Sequence, residues 1–154
     1  MDFRRYAKKN NEQTMLRNYN KIFLHIFVPI FCGTTIYVFW RGLHLIDPEE
    51  KVFPLFSVIN IPDWIKYNLP DGLWFYALLT VLLYIWENNF SECFVIWLFL
   101  AIILSYISEV LQEYHFLSGT FDFKDLLAYT IASSIFYFFN FQKLNQQLLL
   151  RGLL

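Results

Sequence analysis

The sequence predicts an all-α polytopic membrane protein with four transmembrane helices. Hydrophobic residues make up 57% of the chain and charged residues only 16%, whereas a typical soluble domain has about 25% charged residues. A chain of 154 residues leaves much of its surface exposed when it folds. Lipid therefore suits this surface better than water does, and four apolar runs along the chain supply the predicted spans.

The first apolar run, residues 22–40, carries no formal charge. At about 1.5 Å per residue it is about 28 Å long, which matches one bilayer core. A cleaved signal peptide would have a shorter run and a small-residue cleavage site, so the prediction is an uncleaved signal anchor. The segment 1–21 before it is predicted to be a cytoplasmic flank, because it holds six of the 12 basic residues: Arg4, Arg5, Lys8, Lys9, Arg17 and Lys21.

The connection 41–72 contains four prolines, which exclude a long uninterrupted helix. Within it, residues 52–61 are almost wholly apolar and are followed by Trp64 and Tyr67. This pattern fits an interfacial or re-entrant segment, with aromatic rings at the level of the headgroups. An ordered cap packed over the helix ends fits it equally well, and the sequence leaves the two open.

Three further apolar runs complete a single membrane domain, predicted over 22–142. Extended by their flanking residues, they give spans at about 71–88, 91–111 and 124–141, after the first at 22–40. The connector between the second and third spans is short, so these two are predicted to form an antiparallel hairpin. The Gln- and Leu-rich tail, 143–154, is predicted to be an amphipathic surface helix or a helix that docks on a partner.

The distribution of basic residues predicts the topology. With four spans and both termini inside, eight of the 12 Lys and Arg residues lie on the inner side and four on the outer side. Cytoplasmic segments of membrane proteins carry such an excess. We therefore expect a multi-pass protein of the bacterial inner membrane with both termini in the cytoplasm and with residues 112–124 on the outer face.

Polar residues gather where the third predicted span ends and the fourth begins. Glu109, Gln112 and Glu113 share one face of a helix, and so do Asp122, Asp125 and Tyr129, because their spacings match the helical repeat. If the two faces converge, they form an acidic cluster that binds a ligand. The predicted binding residues are Glu109, Gln112, Asp122, Asp125 and Tyr129.

For two of these carboxylates, Asp122 and Glu109, the sequence suggests different explanations. Asp122 is placed to cap the fourth helix, which would account for it without a ligand. Glu109 follows an apolar run and lies in or near the outer leaflet, where a charge is costly and needs a partner. The outer-face candidates for that partner are Lys124, Arg41 and Lys66.

The remaining reactive residues predict neither a cofactor nor a catalytic group. His115 could join the carboxylates around Mg²⁺, Ca²⁺ or Mn²⁺, but the spacing fits no strict motif, and a divalent cation is only the alternative. His25 is read as a packed, hydrogen-bonded residue. Cys32 and Cys93 lie at different predicted depths, so they are read as small core residues without a disulfide.

The sequence around this cluster resembles a known family. The segment SEVLQ ends at Gln112, and GTFDFKDLLAY follows it before an apolar helix. This pattern is similar to that of the VanZ-like family of small integral membrane proteins, whose members pair Glu-x-x-Gln with a later Asp-x-x-Asp. The chain departs from the family at Tyr129, where an Asn is common, and at Ala132, where a Gly is common. The family is named for a glycopeptide-resistance protein, so the resemblance implies a role in the cell envelope.

We expect a non-enzymatic envelope protein that binds a lipid headgroup, an envelope precursor or a partner at the acidic cluster. Membrane lipids are its expected partners, together with a membrane protein or a second copy of the chain, and nucleic acid is not expected. One alternative is a small structural subunit of a larger membrane complex. The other is a membrane enzyme acting on a lipid-linked substrate, with Glu109 and Asp125 as acid and base.

Overall fold

The computed structural model describes residues 19–41, 61–86 and 92–150, and these contain helices and turns but no strand. The predicted all-α class is therefore confirmed for this part of the chain. The first helix, α1, covers residues 19–41, with a π-helical turn at Phe23–Phe27 and regular α-helix over Val28–Arg41. The later helices are α2 (Asp63–Tyr67), α3 (Leu69–Ile85), α4 (Glu92–Glu113) and α5 (Phe123–Leu150).

Three helical stretches among the described residues are long and apolar enough to cross a membrane: Tyr19–Trp40, Asp63–Ile85 and Cys93–Glu113. This finding supports a membrane protein. Helix α5 is longer, with 28 residues, but it is less apolar because it carries polar residues at both ends. The predicted tail at 143–154 continues α5 without a break as far as Leu150.

The π-helical turn in α1 has a local cause. Pro29 offers no N–H, and its ring clashes with the carbonyl four residues earlier, at His25. The wider turn over Phe23–Phe27 moves this carbonyl away, and the N–H of Val28 reaches back to the Phe23 carbonyl. The imidazole of His25 is hydrogen-bonded to the Tyr76 hydroxyl at 2.6 Å, which agrees with its interpretation as a packed residue.

Helix α3 is central, because it packs against both α1 and α5. The core consists of large side chains from α3, joined by one from α4 and two from α5: Phe75, Tyr76, Leu79, Leu83, Phe94, Phe136 and Leu144. Small residues bring α3 and α5 close together, since a Cβ on Gly72 would lie 3.3 Å from the Cβ of Ala128. Small residues at such crossings are typical of helices packed within membranes.

The start of α3 differs from the sequence prediction in detail. The predicted span begins at about residue 71, whereas the helix begins at Leu69 after Asn68, and Asp71 lies in its first turn. Pro70 also lies in that turn, where a missing N–H costs nothing. Of the predicted interfacial segment 41–72, residues 42–60 lie outside the described residues, and so does the N-terminal flank before residue 19.

The two cysteines are free thiols, and both side chains are exposed at the surface of the helices. The interpretation of Cys32 and Cys93 as core residues is therefore wrong. Each lies on a helix face that packs against no other described helix. In a membrane, such a face contacts lipid, where a small apolar thiol is tolerated.

Candidate functional site

The end of α4, the start of α5 and the junction between α2 and α3 surround a cavity of about 610 Å³, here called the polar pocket. All five residues predicted from the sequence line it: Glu109, Gln112, Asp122, Asp125 and Tyr129. Tyr67, Asp71, Ser108, Gly119 and Thr120 complete the lining. The two helix faces predicted separately therefore converge.

The turn between α4 and α5 determines how these faces meet. His115 follows the end of α4 in the left-handed conformation, with φ 59°, and the N–H of Phe116 returns to the Leu111 carbonyl. Gly119 has φ 141°, which few residues with a side chain adopt. A Cβ on Gly119 would also lie 2.5 Å from Oε1 of Gln112, so this side chain would have to shift. The backbone conformation is therefore the main reason for glycine at this position.

Asp122 caps α5 as its position predicts. Its Oδ1 accepts a hydrogen bond from the backbone N–H of Lys124 at 2.9 Å, which satisfies a free donor in the first helical turn. This hydrogen bond, and a second from the side chain of Asn68, hold the pKa of Asp122 below its usual range. Asp122 is therefore charged at neutral pH and contributes structure as well as negative potential.

Glu109 faces the interior of the helix bundle, with only 4% of its surface exposed. The Tyr129 hydroxyl donates to its Oε1 in a long contact of 3.4 Å, and the backbone N–H of Asp122 also faces the carboxylate. Oε2 is buried and has no hydrogen-bond partner. Buried polar atoms in folded proteins are seldom left unpaired, because the loss of water costs about 1–3 kcal/mol.

Neither of the two expected cations whose side chains are described, Lys66 and Lys124, forms an ion pair with Glu109. Nζ of Lys66 lies 3.5 Å from Oδ1 of Asp63, so Lys66 forms an ion pair within α2. The side chain of Lys124 is exposed on α5. The side chain of Arg41 lies outside the described part of the structure. Glu109 therefore meets a tyrosine and a backbone amide where the sequence suggested a basic residue.

Asn68 is the residue that sequence reasoning missed. It is 4% exposed, and its side-chain amide donates to Oδ2 of Asp122 at 3.0 Å and to Oδ1 of Asp125 at 2.8 Å. A single amide nitrogen thus joins the start of α3 to the start of α5. An Asn before a proline-containing helix start suggests a local cap, but this side chain makes no cap hydrogen bond and reaches across the bundle.

The pocket is strongly acidic. Four carboxylates line it, from Asp71, Glu109, Asp122 and Asp125, and no basic residue is among its described lining. Like charges this close favour a cation or several hydrogen-bond donors in the space between them. His115 is not part of the lining, and no group of three or more His, Cys, Asp and Glu side chains in the described ranges could hold a metal ion.

No family model, curated protein or solved structure matches this chain.

Proposed function

We propose that this chain is a membrane protein that binds an amine-bearing headgroup in the polar pocket, without converting it chemically. The observation that carries the proposal is Oε2 of Glu109, a buried acceptor without a partner in a cavity of about 610 Å³. An ammonium group supplies N–H donors and a positive charge, and it pairs well with a desolvated carboxylate. Lipid headgroups and envelope precursors both carry such amines.

Binding is favoured over a reaction by the hydrogen bonding of Ser108, the serine in the pocket lining. The Ser108 hydroxyl donates to the Ser105 carbonyl one turn earlier on α4, at 2.8 Å. A nucleophilic serine needs a base within hydrogen-bonding distance, and His115 does not line the pocket. The carboxylates are thus better placed to hold a charged group than to activate a hydroxyl group.

The proposal includes α5 as a fourth span. Residues 126–142 of this helix carry no formal charge, and 17 residues of helix are about 25 Å long, near the lower limit for crossing a bilayer. Helix α5 packs closely on α3, which is itself part of a candidate span, and this packing supports a path across the membrane for α5 as well. Its charged ends would then lie at the two interfaces.

We place the protein in the bacterial inner membrane, as a divergent relative of the VanZ-like family with both termini in the cytoplasm. The support is the excess of basic residues in the predicted inner segments, together with the convergence of Glu109, Gln112, Asp122 and Asp125, the residues of the resemblance, in one pocket. The pocket then opens on the outer side, where envelope precursors are handled.

The experiment compares wild type with Glu109→Gln, and uses Glu113→Gln as the matched control, because Glu113 is exposed one turn further along α4. Each protein is purified in mild detergent and titrated with phosphatidylethanolamine or phosphatidylcholine in native mass spectrometry. O-phosphoethanolamine serves as a soluble competitor, which separates the headgroup from the lipid tails.

We expect wild type and Glu113→Gln to prefer phosphatidylethanolamine, and Glu109→Gln to lose this preference. Competition by O-phosphoethanolamine would identify the amine headgroup itself as the bound group. Equal binding of both lipids by all three proteins would overturn the proposal. A stable multi-protein particle that is insensitive to Glu109→Gln would favour the structural-subunit alternative instead.

A further inference from the structure

A second concave surface lies between α1, α3 and α5. It is an apolar groove of about 510 Å³. On α5 the lining follows one face of the helix, from Lys124 through Leu127, Ala128, Ile131 and Ile135 to Phe139. These positions recur at helical spacing, and the last lies 15 positions after the first. The groove is therefore about 22 Å long, at about 1.5 Å per residue.

The shape of the groove follows from small residues. Ala128 and Ala132 lie one turn apart on α5, and Gly72 faces them from α3. Tyr76 and Pro29 form its far wall, on α3 and α1. Short side chains on α5 leave a channel between larger neighbours, and the side chains that border it, Leu127, Ile131 and Ile135, remain exposed.

The two ends of the groove differ in chemistry. Phe139, Ile135 and Pro29 make one end wholly apolar, whereas Trp64, Asn68 and Lys124 lie at the other. Trp64 is 53% exposed, as is usual for a tryptophan at the membrane interface. Lys124 is exposed beside it. An apolar channel with a cation at one end complements a molecule with a hydrocarbon tail and an anionic head.

The dimensions fit a lipid chain. One leaflet contributes about 15 Å of the hydrocarbon core, so a groove of about 22 Å takes an extended acyl chain that enters from the interface. We propose that the groove binds one acyl chain of an anionic phospholipid, whose phosphate group pairs with Lys124. This site is separate from the polar pocket, because the two have no lining residue in common. Asn68 lines the groove, and its side chain donates to the pocket's Asp122 and Asp125. The proposal for the groove does not depend on the function proposed for the pocket.

The test uses two variants, each with a matched control. Ile131→Trp fills the groove from an exposed position, and Leu104→Trp introduces the same large side chain on α4, at a residue that is 61% exposed and outside the groove. Lys124→Gln removes the cation, and Lys21→Gln removes an exposed lysine at the other end of the molecule. Full-length proteins are titrated with phosphatidylglycerol and phosphatidylcholine of identical chains, and native mass spectrometry counts bound lipids and protein copies.

We expect Ile131→Trp to weaken binding of the first lipid of either type by about tenfold, which corresponds to losing the burial of about two methylene groups. Lys124→Gln should weaken phosphatidylglycerol alone, by about fivefold. Both controls should bind as wild type does. The proposal is overturned if the groove variants bind lipid as their controls do, or if Ile131→Trp releases a second copy of the protein while lipid binding is unchanged.

Discussion

Glu109→Gln should make the protein more stable while it destroys ligand binding. The glutamine keeps the size of the side chain and leaves an oxygen to accept the Tyr129 hydrogen bond. It removes a charge that is 4% exposed, has one unpaired oxygen and is repelled by Asp125 and Asp122. Its amide also offers two N–H donors to a pocket that holds three other carboxylates.

The magnitude follows from the unpaired oxygen. An unsatisfied buried polar atom costs about 1–3 kcal/mol, so the free energy of unfolding should rise by about this amount. In a domain of this size, 1 kcal/mol moves the melting temperature by about 2–4 °C. Binding should change in the opposite direction, because removing one partner of a desolvated charge pair costs about 2–5 kcal/mol, which is a loss of about 30-fold or more in affinity.

The assay is thermal unfolding in one detergent, followed by tryptophan fluorescence, with and without phosphatidylethanolamine. Glu113→Gln is the control, and it should change the unfolding free energy by less than about 0.5 kcal/mol because the residue is exposed. A lower melting temperature for Glu109→Gln without lipid would refute the reasoning, since it would mean that the charge is already stabilised by groups of the protein.

Three other substitutions test the architecture of the pocket. Asn68→Ala should lower the free energy of unfolding by about 1.5–3 kcal/mol, because it removes hydrogen bonds to two carboxylates. Asn68→Asp should lower it further, and equal losses for the two variants in a urea titration would contradict the hydrogen-bond bridge from Asn68 to the two aspartates. Gly119→Ala should destabilise the protein by about 1–3 kcal/mol, because of φ 141° and the contact with Gln112, whereas Thr120→Ala, next to it, should be nearly neutral in the same assay. Asp122→Ala should cost about 0.5–2 kcal/mol as a lost helix cap. Because the pKa of Asp122 is lowered in the fold, its contribution to the free energy of unfolding is present above the unfolded pKa of about 3.9 and falls as the pH drops through the lower folded value. An advantage of wild type over Asp122→Ala that grows as the pH falls from about 5 to about 3 would contradict this sign.

The residues on each of the two helix faces could be predicted from the sequence because they rest on local spacing, whereas the sequence leaves open whether the two faces converge. Glu109 and Gln112 lie on one turn, Asp122 and Asp125 on another, and a short connection with Gly119 joins the helices. The capping role of Asp122 follows from its position before an apolar helix. All of these residues lie in one continuous stretch, so their arrangement depends mainly on helix geometry and on one turn.

The contribution of Asn68 could not be predicted in this way. It lies 54 and 57 positions from the two aspartates that it joins, and its own neighbours suggest only a local cap. The contact depends on how closely α3 and α5 pack, which Gly72 and Ala128 determine. Likewise, the exposed positions of Cys32 and Cys93 depend on which helix faces remain uncovered, and an all-apolar helix gives no periodicity from which to predict that.

The central claim, that Glu109 holds an amine, is tested most directly by a distance. The protein is reconstituted in bilayers of ¹⁵N-labelled phosphatidylethanolamine, with ¹³C in the glutamate side-chain carboxyl groups, and dipolar recoupling in solid-state NMR measures the separation. We predict that an ammonium nitrogen lies within about 4 Å of a carboxylate oxygen, in a signal that Glu109→Gln removes and Glu113→Gln leaves unchanged. Coupling that is absent in wild type, or that survives in Glu109→Gln, would contradict the account.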